Sequence, residues 1–484
     1  MKYRSTRSNI EASSTEAVLN GIALDGGLYV NADMTNIKFD WKACVQMPAQ
    51  QMATTILNTL LPDFENMEEL VKRAYTGKFE TEDITPLVKV GENYVLELFR
   101  GPTSAFKDVA LSMLPQLIVK AKQQLNIKDE TVILTATSGD TGKAALEGFH
   151  DTEGIKIIVF YPHNGVSAVQ KAQMTTQAGK NVKVCAVKGN FDDCQRGVKK
   201  AFSNLNAVLK GKRLSSANSI NIGRLAPQVF YYFSAYRDLV NCKRIKTGDK
   251  VNFVVPTGNF GDILAGFYAK LMGLPVDRLV CASNINNVLT DFINTGHYNR
   301  KRPFYKTDSP SMDILVSSNL ERLLFIASGN DDEKVSKWMN ELNTEGEFSV
   351  DEKTLSYIQN SFDAFYCNQE ETLSEISSCY KENSYLCDPH TAVAMYAAKR
   401  FKEKNKTDNA CVVLSTASPY KFPSAILNAL QKNNNEDEFR QMELINKFTG
   451  VPVPPNLSSL EGKKEVFKDV IEIDEIEKYV LENI

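Results

Sequence analysis

The stretch Val251-Asn252-Phe253-Val254-Val255-Pro256-Thr257-Gly258-Asn259-Phe260-Gly261-Asp262 runs from an apolar, β-branched segment directly into a glycine-containing turn. Such a run predicts a strand buried on both faces, followed by a helix that begins near Ile263. The two glycines, with a threonine and an asparagine beside them, would let backbone N–H groups approach an anion at the start of that helix. A plain strand-to-helix turn is the alternative. The lysine of a Walker loop is missing and the spacing is not G-x-G-x-x-G, which disfavours a nucleotide site.

Strand–turn–helix units of the same kind recur along the chain. Apolar runs at 132–134, 155–160, 182–187 and 411–414 have the character of buried strands, and most of them lead through a turn to a helix-like segment. This repetition predicts an α/β fold with a mostly parallel sheet that is covered on both faces. Ligands of such sheets bind beyond the carboxyl ends of the strands. We therefore expect the loops that open the helices to carry the function.

The first ninety or so residues differ from this pattern and predict a small mixed module. Ser13-Ser14-Thr15-Glu16 is typical of a capping box that begins a short helix, and Gly21 is expected to end that helix. Residues 28–30 are strand-like. Residues 47–75 predict helical structure with a break near Pro62.

The composition excludes several classes of protein. The 484 residues carry a net charge of −3, so no global basic field suggests a nucleic-acid partner. No apolar run approaches the length that spans a bilayer. Residues 1–7 contain no apolar stretch after their charges, and we therefore expect no secretory signal and a cytoplasmic protein. Nine cysteines without a C-x-x-C pair and four scattered histidines predict reduced thiols and no metal site.

A second turn, Thr137-Ser138-Gly139-Asp140-Thr141-Gly142, follows the strand-like run at 132–134. Its small residues and hydroxyl groups, at the start of a helix, would suit a carboxylate or a phosphate. An ordinary helix N-cap is the alternative. Two such cradles in one sheet suggest one ligand with two anionic ends, or a cofactor together with a substrate.

A third candidate is Lys107, within the segment Glu97-Leu98-Phe99-Arg100-Gly101-Pro102-Thr103-Ser104-Ala105-Phe106-Lys107-Asp108. A lysine held near apolar surface can lose its proton and act as a Schiff-base nucleophile. The alternative is a surface lysine at a helix start, paired with Asp108.

Together these motifs identify a family. Gly-Pro-Thr-Ser-Ala-Phe-Lys-Asp at 101–108, Ala-Thr-Ser-Gly-Asp-Thr-Gly at 136–142 and Pro-Thr-Gly-Asn-Phe-Gly-Asp at 256–262 occur in the order found in threonine synthases. The sequence resembles that family over nearly its whole length, in the longer form shared by fungi and many bacteria. Further matching segments are Ser5–Arg7, Asp25–Val30, Phe191–Gln195, Asn218–Asn221, Ser309–Ile314 and Ser415–Pro419.

The resemblance implies a fold-type II pyridoxal 5′-phosphate enzyme, similar to the β subunit of tryptophan synthase. Residues 1–90 would form an N-terminal α+β module and residues 91–484 the catalytic region. Within that region, parallel-sheet subdomains are expected, with about 110–240 as the smaller one and the remainder as the larger one. The expected protein is a monomer without nucleic-acid or membrane partners.

The implied activity is that of a lyase which converts O-phospho-L-homoserine and water to L-threonine and phosphate by γ-elimination and β-addition of water. Proton removal at Cα and then at Cβ needs an electron sink, which the cofactor supplies. One lysine can bind the cofactor and also act as the mobile base. For the cofactor, the resemblance implies a covalent bond to Lys107, a contact of Thr416 with the pyridine nitrogen, and a phosphate site formed by Gly258, Asn259, Phe260, Gly261 and Asp262. For the substrate carboxylate it implies Ser138, Gly139, Asp140, Thr141 and Gly142. For the phosphate end of the substrate it implies Asn218, Ser219, Asn221, Arg224, Ser311 and Asp313.

Two other activities remain open for this sequence, and two of its residues differ from those common in the family. A phospho-lyase of the same family would release 2-oxobutyrate from the same site, and a catalytically silent homologue would only bind a ligand. The family commonly has histidine where Arg100 stands and glycine where Ser8 stands. Neither departure touches the lysine or a cradle.

Overall fold

Two largely parallel sheets carry the strand–turn–helix units in this computed structural model, which describes residues 2–205, 209–432 and 435–484. One sheet has six strands and the other has five, and short antiparallel sheets of three and two strands accompany them. The strands are β1 (Tyr3–Ser5), β2 (Glu11–Ala12), β3 (Tyr29–Asn31), β4 (Leu87–Val90), β5 (Asn93–Glu97), β6 (Glu130–Ala136), β7 (Ile155–Pro162), β8 (Val182–Val187), β9 (Lys212–Ser216), β10 (Val251–Pro256), β11 (Val276–Ser283), β12 (His297–Asn299), β13 (Glu347–Ser349), β14 (Phe362–Tyr366), β15 (Ala410–Ser415) and β16 (Val470–Ile471).

Helices follow most of the parallel strands, as the sequence predicts. No helix in the described part of the chain has the length and apolar character needed to cross a membrane. The α-helices are α1 (Ser14–Asn20), α2 (Trp41–Cys44), α3 (Ala49–Leu60), α4 (Met67–Tyr75), α5 (Lys107–Gln124), α6 (Asp140–Phe149), α7 (Ala168–Thr175), α8 (Phe191–Leu205), α9 (Ile222–Leu225), α10 (Val229–Asn241), α11 (Gly261–Leu271), α12 (Val288–Thr295), α13 (Leu320–Ala327), α14 (Asp332–Thr344), α15 (Glu352–Gln359), α16 (Gln369–Asn383), α17 (Pro389–Asn405), α18 (Pro423–Ala429), α19 (Glu438–Thr449), α20 (Pro455–Ser458) and α21 (Ile476–Asn483).

The six-stranded sheet has the order β14-β11-β10-β15-β5-β4 and is parallel except for β4, which runs antiparallel to β5. Every residue of β10 and β15 is buried, which confirms strands covered on both faces. Because β10 and β15 are parallel neighbours, the turn at 257–261 and Thr416 lie at the same edge of the sheet. Residues 87–90, which we assign to the N-terminal module from the sequence, form β4 and pair with β5.

The five-stranded sheet has the order β16-β8-β7-β6-β9, and all its strands are parallel. Four of its strands lie within the predicted range of about 110–240. The fifth, β16, comes from residues 470–471, and the following α21 packs on α8 through Ile476 and Val480. The smaller subdomain therefore includes a second, distant segment of the chain.

The N-terminal module contacts both sheets. Its predicted capping box is present, with Ser13 as the N-cap and Glu16 closing the box, and α3 and α4 flank the predicted break. On the side of the five-stranded sheet, Ser215 Oγ donates to the carbonyl of Leu19 at 3.2 Å. On the other side, Arg7 forms two hydrogen bonds with Glu321, each of 2.8 Å. The module thus joins the two halves of the molecule.

Candidate active site

A cavity of about 1330 Å³ is lined by residues that follow strands of both parallel sheets and by residues of the N-terminal module. Seven basic and four acidic residues line it, so its wall favours anionic ligands. Most of the residues predicted for the site lie in this wall, whereas Gly139, Asp140, Gly142, Asn221 and Asp313 do not. The predicted residues in the wall are Lys107, Ser138, Thr141, Asn218, Ser219, Arg224, Gly258, Asn259, Phe260, Gly261, Asp262, Ser311 and Thr416.

Lys107 is the first residue of α5 and is only 8% exposed. Its Nζ lies 3.4 Å from Ser311 Oγ and 3.9 Å from Asp140 Oδ2. Burial lowers its pKa from 10.5 to about 8, although the nearby carboxylate of Asp140 opposes the change. Asp108 accepts hydrogen bonds from Thr103 instead. The alternative of a surface lysine paired with Asp108 therefore does not hold.

The chain segment that carries Lys107 is attached to the segment that carries Thr416. The N–H of Phe106 donates to the carbonyl of Thr416 at 2.9 Å, and Ala105 and Ala417 form an isolated bridge beside it. Buried backbone N–H and C=O groups are almost always paired, and such a bond fixes the two segments relative to each other. The lysine and the threonine are thus held on one wall of the cavity.

Asp140, at the start of α6, forms a buried ion pair with Lys421. The distance from Lys421 Nζ to Asp140 Oδ1 is 2.6 Å, and Lys421 is fully buried. Gln170 also donates to Asp140, at 2.8 Å. Despite its burial, Asp140 has a pKa well below the ordinary range, because the charges of Lys421 and Lys107 stabilise the carboxylate. The side chain of Asp140 therefore interacts with these two lysines. A bound carboxylate would have to contact other groups of the turn.

The turn at 137–142 offers fewer free hydrogen-bond donors than the sequence suggests. Thr137 Oγ1 accepts hydrogen bonds from the N–H groups of Gly139 and Gly142, at 2.9 and 2.8 Å. Two of the amides in the turn are thus occupied by its own first residue. Ser138 and Thr141 remain in the cavity wall as the groups of this turn that can meet a ligand.

The turn between β10 and α11 directs its carbonyl groups toward residues 317–319. Ser317 Oγ donates to the carbonyl of Gly258 at 2.7 Å, and Asn319 donates to that of Asn259 through both N and Nδ2, at 3.1 and 3.0 Å. The first N–H groups of α11 have no partner within the helix and are suited to an anion. A Cβ atom at Gly258 would lie 2.5 Å from the carbonyl oxygen of Ser311, so only glycine fits. The turn thus lies at a helix N-terminus, as the sequence predicts, and its role as an anion cradle stays a prediction.

The side chain of Asp262 is bound to protein groups, and only its backbone N–H is suited to contact an anion. Its Oδ1 accepts hydrogen bonds from Tyr231 and Tyr232, at 2.6 and 2.9 Å. Burial raises its pKa to about 7, although the two tyrosines stabilise the ionised form. At pH 7 about half of such carboxyl groups are protonated, which reduces the negative charge that would repel a phosphate. Its backbone N–H, in the first turn of α11, is the group suited to an anion.

Arg224 is a buried cation in the cavity wall. It donates to the carbonyl of Ala217, and the ion pairs of the described residues include none for its guanidinium. Burial lowers its pKa to about 10, which leaves it charged at neutral pH. Within the described residues, three buried polar atoms of the predicted site lack a hydrogen-bond partner, namely Asn218 Oδ1, Arg224 Nε and Asp262 Oδ2. Buried polar groups are normally satisfied, and an anionic ligand with hydroxyl or amine donors would satisfy these.

His390 also lies in the cavity wall, although the sequence analysis does not identify it. Its Nδ1 lies 2.7 Å from Asp388 Oδ1, and its Nε2 accepts from the N–H of Ser311 at 3.2 Å. The proton is thus assigned to Nδ1, and the histidine holds the segment next to Lys107. The sequence signal was only that of a helix start, since Asp388 caps α17.

The two departures from the family pattern lie outside the cavity wall. Arg100 is about one-third exposed and forms ion pairs with Glu97 and Glu80, at 2.7 and 3.0 Å. Ser8 donates to Asp25 in an exposed hydrogen bond at 2.5 Å. Both side chains therefore have local partners.

Comparison with known proteins places these features in a family. Residues 79–416 match the model for "Pyridoxal-phosphate dependent enzyme", residues 2–75 that for "Threonine synthase N terminus" and residues 391–480 that for "Threonine synthase, C-terminal". Threonine synthase of Saccharomyces cerevisiae is 38% identical over 469 residues, which cover 90% of each chain. "Threonine synthase-like 1" of Homo sapiens is 39% identical over 470 residues, covering 93% of this chain but 62% of the human protein. This chain thus spans about three-fifths of the length of that relative.

Solved structures agree with the sequence relatives. The crystal structure of pyridoxal-phosphate-bound threonine synthase from Brucella melitensis superimposes with a TM-score of 0.85 at 37% identity. The match covers 100% of this chain and 99% of the Brucella chain. The likeness therefore extends over both sheets and the N-terminal module.

Proposed function

Since this chain belongs to the threonine synthase family of pyridoxal-phosphate-dependent enzymes, we propose that it converts O-phospho-L-homoserine and water to L-threonine and phosphate. The observation that carries the proposal is one cavity wall that combines a buried lysine of lowered pKa with separate anion-binding groups. A cofactor phosphate, a substrate carboxylate and a substrate phosphate each need such a group.

The residues present fit pyridoxal phosphate. Lys107 would hold the cofactor through its amine, and the N–H groups at 258–262 would hold its phosphate, with Thr416 facing the pyridine nitrogen. The exclusion of any Cβ at Gly258 and the raised pKa of the Asp262 carboxyl group support that placement. When bound, the cofactor supplies the electron sink that carbanions at Cα and Cβ require.

Lys107 is the residue that we propose moves protons. Once its amine is free, it takes a proton first from Cα and then from Cβ of the substrate. A pKa of about 8 suits this task, because a base works best when its pKa lies near the working pH. Ser311 Oγ and the carboxylate of Asp140 hold Nζ between them and stabilise it whenever it carries the extra proton.

We place the two ends of the substrate on different groups of the wall. Ser138 and Thr141 bind its carboxylate, while Arg224, with Asn218 and Ser219, binds its phosphate. Among the residues that the structure describes, Arg224 has no counter-ion, which supports the second assignment, since a buried cation gains most from an anionic ligand.

Asn221 and Asp313 support the site from behind the wall. Asn221 Nδ2 donates to the carbonyl of Val18 at 2.9 Å, which fixes the 218–221 loop against α1. Asp313 accepts from Asn284 Nδ2 at 2.8 Å and from Thr307 N at 2.9 Å, which shapes the segment that carries Ser311. Both side chains are thus engaged with protein partners.

Product analysis tests the proposed reaction. Purified protein loaded with pyridoxal phosphate is incubated with O-phospho-L-homoserine, and threonine, 2-oxobutyrate and phosphate are quantified. Equal amounts of threonine and phosphate support the proposal. Phosphate together with 2-oxobutyrate would replace it with a phospho-lyase, and a protein that forms no product would be a silent homologue.

Replacement of Arg224 by leucine is expected to raise the KM for O-phospho-L-homoserine about 10- to 100-fold, because one charged hydrogen bond to the substrate phosphate is lost. Initial rates over a range of substrate concentrations measure the effect. The absorption spectrum and the affinity of the bound cofactor should stay unchanged, which is the internal control. A KM equal to that of the unmodified protein would remove Arg224 from the phosphate site.

The pH dependence of cofactor capture should reflect the pKa of Lys107. The neutral amine is the nucleophile, so the capture rate should rise with pH, level off above about pH 8 and stay constant beyond it. Stopped-flow absorbance with cofactor-free protein measures this rate from below neutrality to above 10.5, the ordinary lysine value. A rate that still climbs toward that value would show that burial does not lower the pKa of this amine.

We further propose that the protein acts as a monomer in the cytoplasm. The nine free cysteines suit a reducing compartment such as the cytoplasm. Sedimentation equilibrium of the holoenzyme tests the first statement, and fractionation of the source cells tests the second.

A further inference from the structure

Arg322, on α13, is a fully buried cation with 0% exposure. Its Nε donates to the carbonyl of Tyr29 at 2.8 Å, one terminal nitrogen donates to the carbonyl of Ile220 at 2.6 Å, and the other donates to Oδ1 of Asn319. All three acceptors are uncharged. Burying a guanidinium is unfavourable unless its surroundings compensate the charge, so a role beyond packing is expected.

The neighbouring carboxylate does not serve as the partner of Arg322. Glu321 accepts hydrogen bonds from Thr6 and from both Nε and a terminal nitrogen of Arg7. Arg322 therefore donates hydrogen bonds to three separate segments, namely the N-terminal module, the 218–221 loop and the start of α13.

The bond from Arg322 to Asn319 determines how that amide is oriented. Because Asn319 Oδ1 accepts from the guanidinium, Nδ2 faces the other way and donates to the carbonyl of Asn259 at 3.0 Å and to Ser219 Oγ at 3.1 Å. One side chain thus contacts both the cradle at 258–262 and the 218–221 loop. Arg322 also contacts the 218–221 loop directly, through its hydrogen bond to the carbonyl of Ile220.

We propose that Arg322 is a positioning residue that holds the cofactor-phosphate cradle and the substrate-phosphate loop in one fixed relation to each other, acting through Asn319. The proposal rests on the function proposed above. Its distinctive consequence is that one side chain, which lines neither subsite, controls the affinity for the cofactor and for the substrate together.

The test compares Arg322→Met with Arg322→Lys. For each variant, the dissociation constant of pyridoxal phosphate is measured by absorbance titration of cofactor-free protein, and the KM for O-phospho-L-homoserine is measured on the saturated enzyme. We expect both constants to rise about 10- to 100-fold in Arg322→Met, since charged hydrogen bonds are lost. Arg322→Lys should recover part of both, because an ammonium group can replace only some of the three bonds.

Arg237→Met is the matched control. Arg237 is nearly buried on α10 and pairs with Asp83 and Asp238, outside the cavity wall. This variant should lose thermal stability without a change in either constant. Arg322→Met that behaves in the same way would overturn the proposal, because its role would then be structural only.

Asn319→Asp provides a second variant if Arg322→Met does not fold. The aspartate keeps an acceptor for Arg322 and adds a charge partner, but its side chain has no N–H to donate to Asn259 or Ser219. Only the backbone N–H of residue 319 would still donate to Asn259. Both constants should rise in a protein of undiminished melting temperature, and unchanged constants would overturn the proposal. An unmodified protein that fails to bind pyridoxal phosphate at all would instead refute the proposed function, and the inference with it.

Discussion

Replacement of Lys107 by alanine is expected to lower kcat by about 10⁴-fold or more, because the same amine holds the cofactor and moves the protons. The reaction of O-phospho-L-homoserine, followed by phosphate release and by threonine formation, measures the loss. The absorption band that the unmodified protein acquires with pyridoxal phosphate should also be absent.

The variant should remain folded. A folded-state pKa of about 8, against 10.5 for an ordinary lysine, means that folding disfavours the charged amine, so its burial opposes stability below about pH 8. That penalty is relieved as the pH rises from 8 toward 10.5. Removing the amine therefore removes a destabilising charge at neutral pH.

Lys143→Ala is the control for Lys107→Ala. Lys143 is a largely buried lysine of α6 whose Nζ lies 2.9 Å from Glu147 Oε2, and it lies outside the cavity wall. Its replacement should leave kcat nearly unchanged. Multiple turnovers by Lys107→Ala at a comparable rate would show that another group performs the chemistry.

The second large effect is expected on stability. Asp140→Asn should lower the free energy of unfolding by about 3–5 kcal/mol, because Lys421 would be left as a fully buried charge without a counter-ion. Denaturant unfolding of the cofactor-free protein measures the change. The carboxylate has a lowered pKa, so its contribution is fully present above the ordinary value of 3.8 and is lost only as the pH falls below it.

A double-mutant cycle separates the ion pair from other effects of Asp140→Asn. Combining Asp140→Asn with Lys421→Met removes both charges and should recover most of the lost stability. Glu69→Gln, which disrupts an exposed ion pair with Arg73, should cost less than about 1 kcal/mol. Additive effects of the two buried substitutions would mean that these groups do not stabilise each other in solution.

Local patterns allow much of the fold to be predicted. The run at 251–255 and the turn after it form β10 and the start of α11, and the capping box at Ser13 begins α1. These features depend on neighbours a few residues away, which a sequence displays directly. The bounds of the subdomains depend on pairing across long distances, such as that of β16 with β8, and a single sequence does not display it.

In the candidate site, too, the features set by neighbouring residues can be predicted from the sequence, and those set by distant residues cannot. Lys107 and both glycine turns stand out because each motif is continuous in sequence. The partners that adjust the chemistry of these motifs do not stand out, because they lie far away in sequence. Lys421 pairs with Asp140, Tyr231 donates to Asp262, and Arg322 acts on Asn259 through Asn319. A sequence can therefore indicate which residues react, whereas the pKa and the position of each come from the assembled fold.

The interleaving of the two sheets has a consequence for biosynthesis on the ribosome. The chain builds part of the six-stranded sheet, leaves it for β6–β9, returns to it for β10, β11, β14 and β15, and only then supplies β16. Lys188, just after β8, meets Glu472 across 284 residues of sequence. Until that distant segment has emerged, the nascent chain presents β8 as an open sheet edge, and such edges invite pairing with other chains. Neither sheet can be completed during early translation, because each includes a strand that the chain supplies late, β15 in one sheet and β16 in the other.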